Sequence, residues 1–167
     1  MKKYTITSPV LLVVIVILQT TVLKNLAFKG VKPDLVLIIL VIFSNYFGQT
    51  KGELFGAGAG IVQDILSLSP LGFNTILNTV SGYFAGTTKG KLFLDPLVAP
   101  VILVAVFGLF KETLAFILLL IFMSENTGQV FNQAFLIRSG MNILFTPFVF
   151  YLLKITRLLP EYDSIRF

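Results

Sequence analysis

The sequence contains no histidine, no cysteine and no tryptophan, and only 13% of its 167 residues are charged. Without cysteine, the chain can form neither a disulfide framework nor a thiol-based site. Without histidine, it lacks the commonest general base and the commonest zinc ligand. A soluble domain typically carries about 25% charged residues. The composition therefore excludes an ordinary soluble enzyme.

Apolar residues make up 56% of the chain, and the mean hydropathy is +0.91. A chain of this size has too little interior to remove that much apolar surface from water. We therefore predict a small integral membrane protein. The net charge of +5 does not indicate a nucleic-acid partner, because the basic residues form no run of five and membrane proteins carry Lys and Arg in their loops to set topology.

Long apolar segments predict an all-α integral membrane fold, with one multi-pass domain over residues 1–167. A helix needs about 20 mostly apolar residues to cross a bilayer. Six transmembrane helices are predicted, at about 9–26, 34–50, 52–68, 73–88, 97–123 and 130–155. The third and fourth segments are weakly apolar, so five spans are the alternative if one of them does not cross.

The distribution of basic residues predicts the orientation, because Lys and Arg concentrate in cytoplasmic loops. A cytoplasmic N-terminus places on the inside Lys2, Lys3, Lys51, Lys89, Lys91, Lys154, Arg157 and Arg166. It places on the outside Lys24, Lys29 and Lys32. This asymmetry favours both termini in the cytoplasm, although the basic first loop argues the other way.

Two stripes of small and polar residues recur every four positions. The first stripe consists of Gly52, Gly56, Gly60 and Asp64, and the second of Asn74, Asn78, Gly82 and Gly86. Residues four apart share one helix face, and glycine faces let two membrane helices approach closely. We expect the stripes to face each other, with Asp64 and Gln63 near Asn74 or Asn78. A groove for a partner helix is the alternative to this internal packing.

Charged residues inside the predicted spans are costly unless they are paired. Glu112 and Arg138 lie about 16 Å and about 12 Å from the same side of the fifth and sixth spans at 1.5 Å per residue. Their depths predict an ion pair. Lys111 points about 100° away from Glu112 and needs another partner. Asp34, just before an apolar run, is suited to cap the second span.

Nothing in the sequence indicates catalysis. The histidine-dependent hydrolase and protease patterns are impossible, and no Ser-x-x-Lys motif occurs. Gly56, Gly58 and Gly60 follow no strand and precede no Gly-Lys-Ser. We therefore predict no catalytic residue, no metal site and no cofactor.

Several pieces of the chain, in their order, resemble the rod shape-determining protein MreD family. They are Leu18-Gln19-Thr20-Thr21, Pro33-Asp34-Leu35-Val36-Leu37, the glycines 48, 52, 56, 58 and 60, Gln63-Asp64-Ile65-Leu66, Leu71-Gly72, Gly82-Tyr83 with Gly86, and finally Asn142 and Pro147. The likeness covers most of the chain and is clearest over residues 18–90.

The resemblance implies a non-enzymatic, multi-pass subunit of the bacterial inner membrane that maintains rod shape. Its implied partners are an MreC-like bitopic protein and, further, MreB, RodA and a penicillin-binding transpeptidase of peptidoglycan synthesis. It also implies a fold similar to the substrate-binding subunits of ECF vitamin transporters. The alternative function is therefore a ligand-binding transporter subunit, with Asp64, Asn74, Asn78 and Arg138 converging on a pocket. A small ion or proton transporter ranks third.

Overall fold

A computed structural model describes residues 30–67, 70–91, 98–122, 133–156 and 158–159. The first predicted span, 9–26, lies outside these residues. The helices of the described part are α1 (Leu35–Phe47), α2 (Gln49–Leu66), α3 (Phe73–Gly86), α4 (Val98–Phe122) and α5 (Gln133–Ile155). The described chain contains no strand segment, so the all-helical prediction is confirmed there.

Helix α1 forms the centre of the fold and contacts each of the other four helices. Its residues from Val36 to Ile42 are all nearly inaccessible to solvent. A helix that is apolar all round is stable only when it is covered on every side, and α2 to α5 provide that cover. The 13 residues of α1 span about 20 Å, well short of a bilayer core of about 30 Å.

The boundary between α1 and α2 lies at a single residue, Gly48. Its φ of 92° is in a region that residues with a Cβ rarely adopt, so the chain reverses here without a loop. The sequence reading placed residues 49 and 50 in the second span and began the third at 52. The apolar segment ends at Phe47, and the span was extended to residue 50 only to reach the length of a crossing; in the structure Gln49 and Thr50 begin α2.

Contacts along the helices establish their directions. Leu37 lies beside Gly108 and Asp34 beside Lys111, so α1 and α4 are antiparallel. The backbone N–H of Asp34 contacts Asn142 and the ring of Tyr46 lies 6.5 Å from that of Phe150, so α1 and α5 are parallel. Helices α2 and α3 form an antiparallel hairpin packed against α1.

Two helices, α4 and α5, are long and apolar enough to cross a membrane, and α1 is a shorter apolar helix. Only 22% of the most apolar window of α4 and 28% of that of α5 are buried. The large exposed side chains on them include Leu109, Ile121, Leu136, Leu144, Phe148 and Tyr151. Exposed apolar surface of this extent is unusual for a soluble monomer and is typical of contact with lipid or other proteins.

Candidate functional site

The glycine stripe of α2 lies directly against α3. A Cβ added to Gly52 would lie 2.5 Å from the carbonyl oxygen of Gly82, and one on Gly56 would lie 2.7 Å from the carbonyl carbon of Asn78. A Cβ on Gly60 would lie 2.6 Å from the backbone nitrogen of Thr75. Real Cβ atoms essentially never approach other atoms this closely. Glycine is therefore required at these crossings.

The stripe of α3 meets α2 in the same way. A Cβ on Gly86 would lie 2.5 Å from the backbone nitrogen of Gln49, and Gly82 faces the carbonyl of Gly52. The two backbones thus touch along the whole hairpin. The backbone of the neighbouring helix lies against the glycine face of each of these two helices.

Asp64 joins the end of α2 to the start of α3. Its carboxylate accepts backbone N–H bonds from Gly72 (3.0 Å), Asn74 (2.9 Å) and Thr75 (3.0 Å). It also accepts from the side chains of Asn74 at 3.0 Å and Thr75 at 2.7 Å. The first N–H groups of a helix have no partner within the helix, and a buried carboxylate needs several donors. The two requirements are met together here.

The rest of the second stripe has different partners. The Nδ2 of Asn78 donates to Oε1 of Gln63 at 2.6 Å, so Gln63 and Asp64 each hold one asparagine of α3. Gly72 precedes α3 with a φ of 92°, a conformation suited to glycine. The turn therefore closes tightly enough to bring the N–H groups of α3 to Asp64.

A second polar cluster lies at the N-terminus of α1. Oδ1 of Asp34 accepts the N–H of Leu37 at 3.0 Å, which is the expected cap. Oδ2 of Asp34 lies 2.7 Å from Nζ of Lys111. Asn142 of α5 accepts the backbone N–H of Asp34 at 2.7 Å. Asp34 therefore connects α1 to both α4 and α5.

The Asp34–Lys111 pair is a contact that sequence reasoning missed. Lys111 is 13 residues after Val98 and 11 before Phe122, so α1 begins at about the middle of α4. The sequence analysis assigned Asp34 only a capping role and estimated depths only for Glu112 and Arg138. The shortness of α1 is the signal that could have located its N-terminus deeper.

Glu112 and Arg138 lie together between α4 and α5. Nη1 of Arg138 is 2.6 Å from Oε1 of Glu112. The Glu112 side chain is 17% exposed, whereas that of Arg138 is 43% exposed. Within the described ranges, the structure therefore has two ion pairs on adjacent positions of α4, one enclosed and one partly open.

The polar side chains of these clusters serve mainly to hold the helices together. Each carboxylate in the two clusters already accepts hydrogen bonds from its own chain. Among the described residues, no group of three or more His, Cys, Asp or Glu side chains is placed to hold a metal ion. Arg138 bonds to Glu112, whereas Asp64 bonds to Asn74 and Gln63 bonds to Asn78.

The model of the rod shape-determining protein MreD family matches residues 2–156. The chain belongs to the MreD family. No curated protein and no solved structure matches it significantly. The match confirms the resemblance seen in the sequence, and it covers both the glycine hairpin and the charge cluster.

Membership in the MreD family implies a role in determining rod shape. The family is one of membrane proteins of the cell-shape system, in agreement with the two long apolar helices. It is a family of shape-determining structural proteins and not a known enzyme family. A partner within the rod-shape machinery, of the MreC type, fits this membership in general terms.

Proposed function

We propose that this MreD-family chain is a non-enzymatic, multi-pass subunit of the bacterial cell-elongation machinery in the inner membrane. It scaffolds an MreC-like bitopic protein and, through it or beside it, MreB, RodA and a penicillin-binding transpeptidase. The family match over residues 2–156 is the observation that carries this proposal. The structure supports the proposal through its buried polar clusters and the exposed apolar faces of its long helices.

The distribution of polar and apolar groups supports a scaffold. The buried carboxylates of Asp34 and Asp64 are engaged by groups of their own chain. The outward faces of α4 and α5 carry exposed apolar side chains such as Leu144 and Phe148. A membrane scaffold needs such faces for neighbouring helices, and these rely on close packing more than on polarity.

The proposed topology has six spans, with both termini in the cytoplasm. The helix directions place four described lysines at one end of the bundle: Lys51 in the first turn of α2, Lys89 and Lys91 after α3, and Lys154 in the last turn of α5. Concentration of lysines at one end favours that end as the cytoplasmic one. Lys32 is not among them, since it precedes the start of α1, which lies at about the middle of α4.

The ligand-binding alternative receives no support from the placement of its four residues. Asp64 holds Asn74 and the start of α3, and Gln63 holds Asn78. Arg138 lies on a separate helix pair. A fold similar to an ECF substrate-binding subunit therefore stays a prediction from the family resemblance.

Depletion of the protein in its native host tests the scaffold directly, with cell shape and copurifying membrane proteins recorded together. Rounded cells and an MreC-like protein in the purified complex are the expected result. Unchanged rods, with a transporter ATPase in the complex, would contradict it. So would a stoichiometric vitamin or lipid precursor in native mass spectra of the purified protein.

A further inference from the structure

We propose that the outward side of α5 around Pro147 is a docking surface for a transmembrane helix of another protein, one that carries an amide or hydroxyl side chain near the middle of the membrane. The inference goes beyond the scaffold function and depends only on the location of the chain in a membrane. It comes from a backbone carbonyl of α5 that the proline deprives of its usual hydrogen-bond donor.

Pro147 lies within α5, 14 residues after Gln133 and eight before Ile155. Proline has no backbone N–H, so the carbonyl four residues earlier, that of Ile143, lacks its i+4 donor. Ile143 is about 15 Å from one end of the helix and about 18 Å from the other at 1.5 Å per residue. The carbonyl therefore lies at the depth of the hydrocarbon core, where no water is available as a donor.

The hydroxyl next to the proline is used elsewhere. Thr146 is buried, and its Oγ1 donates to the carbonyl of Asn142 at 2.6 Å. In the described part of the chain, no side chain donates to the carbonyl of Ile143. Neighbouring helices or Ser and Thr side chains normally satisfy the carbonyl that a proline frees in a membrane helix. A donor from another chain would complete α5 in the same way.

The carbonyl lies on an outward side of α5. Residues three, four and seven positions apart share one side of a helix. Pro147 and the residues at these distances from it are all exposed, and Leu144 and Tyr151 are so to 74% and 62%. We name this surface the proline notch; it consists of Gly140, Ile143, Leu144, Pro147 and Tyr151.

Gly140 provides room for a close approach to the backbone. A Cβ added there would meet nothing within 4 Å, so the space beside the glycine is open. A glycine on a membrane helix lets a second helix come near its backbone. Leu144 and Tyr151 provide apolar contact on the same side. A helix seated at Gly140 can therefore bring a polar side chain to the carbonyl of Ile143, three positions further along.

The chemistry of the proline notch distinguishes its occupants. Acyl chains have no hydrogen-bond donor, so lipid can cover Leu144 but cannot pair with the carbonyl. A second copy of the chain, related by a two-fold axis, would present the same surface. Its Ile143 carbonyl would arrive at the same depth, and two acceptors do not pair. A different helix with an amide or hydroxyl donor satisfies both the open space and the carbonyl.

Replacing the proline separates a docking role from a purely structural one. Pro147→Ala restores an N–H to the helix, and this N–H can pair with the carbonyl of Ile143. The variant no longer needs an external donor, so it should lose its preference for a partner that carries one. A kink with only a structural role would not distinguish partners with and without a donor.

The test is energy transfer in liposomes between the labelled full-length protein and a synthetic transmembrane peptide of leucine and alanine with one central asparagine. The chain has no cysteine, so Lys91→Cys gives a single labelling site. We expect this peptide to bind about three- to tenfold more tightly than the same peptide with leucine in place of asparagine. Pro147→Ala should bind both peptides equally, and Gly140→Leu should bind both more weakly.

Pro100→Ala is the matched control. Pro100 lies in the first turn of α4, where its missing N–H frees no carbonyl within the helix, so this variant should keep the preference for asparagine. Circular dichroism in the same liposomes checks the folding of each variant. If Pro147→Ala does not fold, the comparison of the two peptides on the original chain still decides.

Three results would overturn the proposal. The first is equal binding of both peptides to the original chain, or binding of neither, because lipid would then be sufficient to cover the surface. The second is a folded Pro147→Ala variant that keeps the preference. The third is energy transfer between two differently labelled copies without peptide that Gly140→Leu abolishes, since the proline notch would then pair two copies of this chain.

Discussion

The α2–α3 hairpin and the α4–α5 pair are held together by different physical means. In the hairpin, glycines bring two backbones into contact, and one carboxylate organises the turn. In the longer pair, side chains separate the helices and two adjacent charges anchor them, Lys111 to α1 and Glu112 to α5. The hairpin is weakly apolar and gains its stability from close approach, whereas the long helices are apolar enough to cross a membrane independently.

This difference indicates how each pair should respond to change. Backbone contact leaves no space to relax, so an added side chain must separate the helices. A charge pair tolerates the loss of both members better than the loss of one. Substitutions that add volume should therefore be most harmful in the hairpin, and substitutions that unbalance charge should be most harmful in the long pair.

The largest expected effect is that of Gly56→Leu or Gly60→Leu. Each adds a side chain where even a Cβ would overlap the backbone of α3, at a cost above about 4 kcal/mol, the range of exceptional destabilisation. Folded protein should fail to accumulate in membranes, as measured by size-exclusion chromatography of a detergent extract. Gly140→Leu, where the space is open, is the control and should accumulate normally. Normal levels of both hairpin variants would contradict backbone contact.

A smaller but still large effect is expected for Lys111→Met. It leaves the Asp34 carboxylate without its cation, and removal of one partner from a buried pair costs about 3–5 kcal/mol. The double variant Asp34→Asn with Lys111→Met removes both charges, while asparagine can still cap α1. It should regain at least half of the lost stability in chemical denaturation followed by circular dichroism. A double variant as unstable as the sum of the singles would show that the pair is not coupled.

Asp64→Ala should have the next largest effect and lower the free energy of unfolding by about 2–3 kcal/mol, because it removes a helix cap and leaves buried N–H donors unpaired. The same denaturation measurement applies. Glu53→Ala is the control, since Glu53 is an exposed acid on the same helix. Equal stability of the two variants would mean that Asp64 does not organise the turn.

The smallest effect is expected for neutralising Glu112. Polar contacts within membranes average only about 0.6 kcal/mol, and this pair is partly open. Glu112→Gln should change the free energy of unfolding by about 1 kcal/mol or less. A loss as large as that of Lys111→Met would remove the distinction between the enclosed and the open pair.

Some of these helix contacts could be predicted from the sequence, and others could not. A spacing of four is sufficient to put Gly52, Gly56 and Gly60 on one face, and the short turn makes the next helix their neighbour. The end of α1 could be read from the sequence, since polar residues follow Gly48, but the depth at which α1 begins could not. The resulting depth of Asp34 brings together residues 77 positions apart, a contact set by tertiary structure that no local pattern indicates.

The central claim is that buried polar residues maintain the bundle while its exposed faces maintain rod shape. The most direct test is microscopy of depleted host cells that express alanine variants of exposed residues on different helices: Leu54, Ile65, Ile121, Leu144 and Tyr151. The account predicts that variants of at least one face accumulate as folded protein, yet leave cells round and lose the MreC-like partner. Rod-shaped cells with every outward-face variant, and shape loss only from folded variants of the buried clusters, would contradict it.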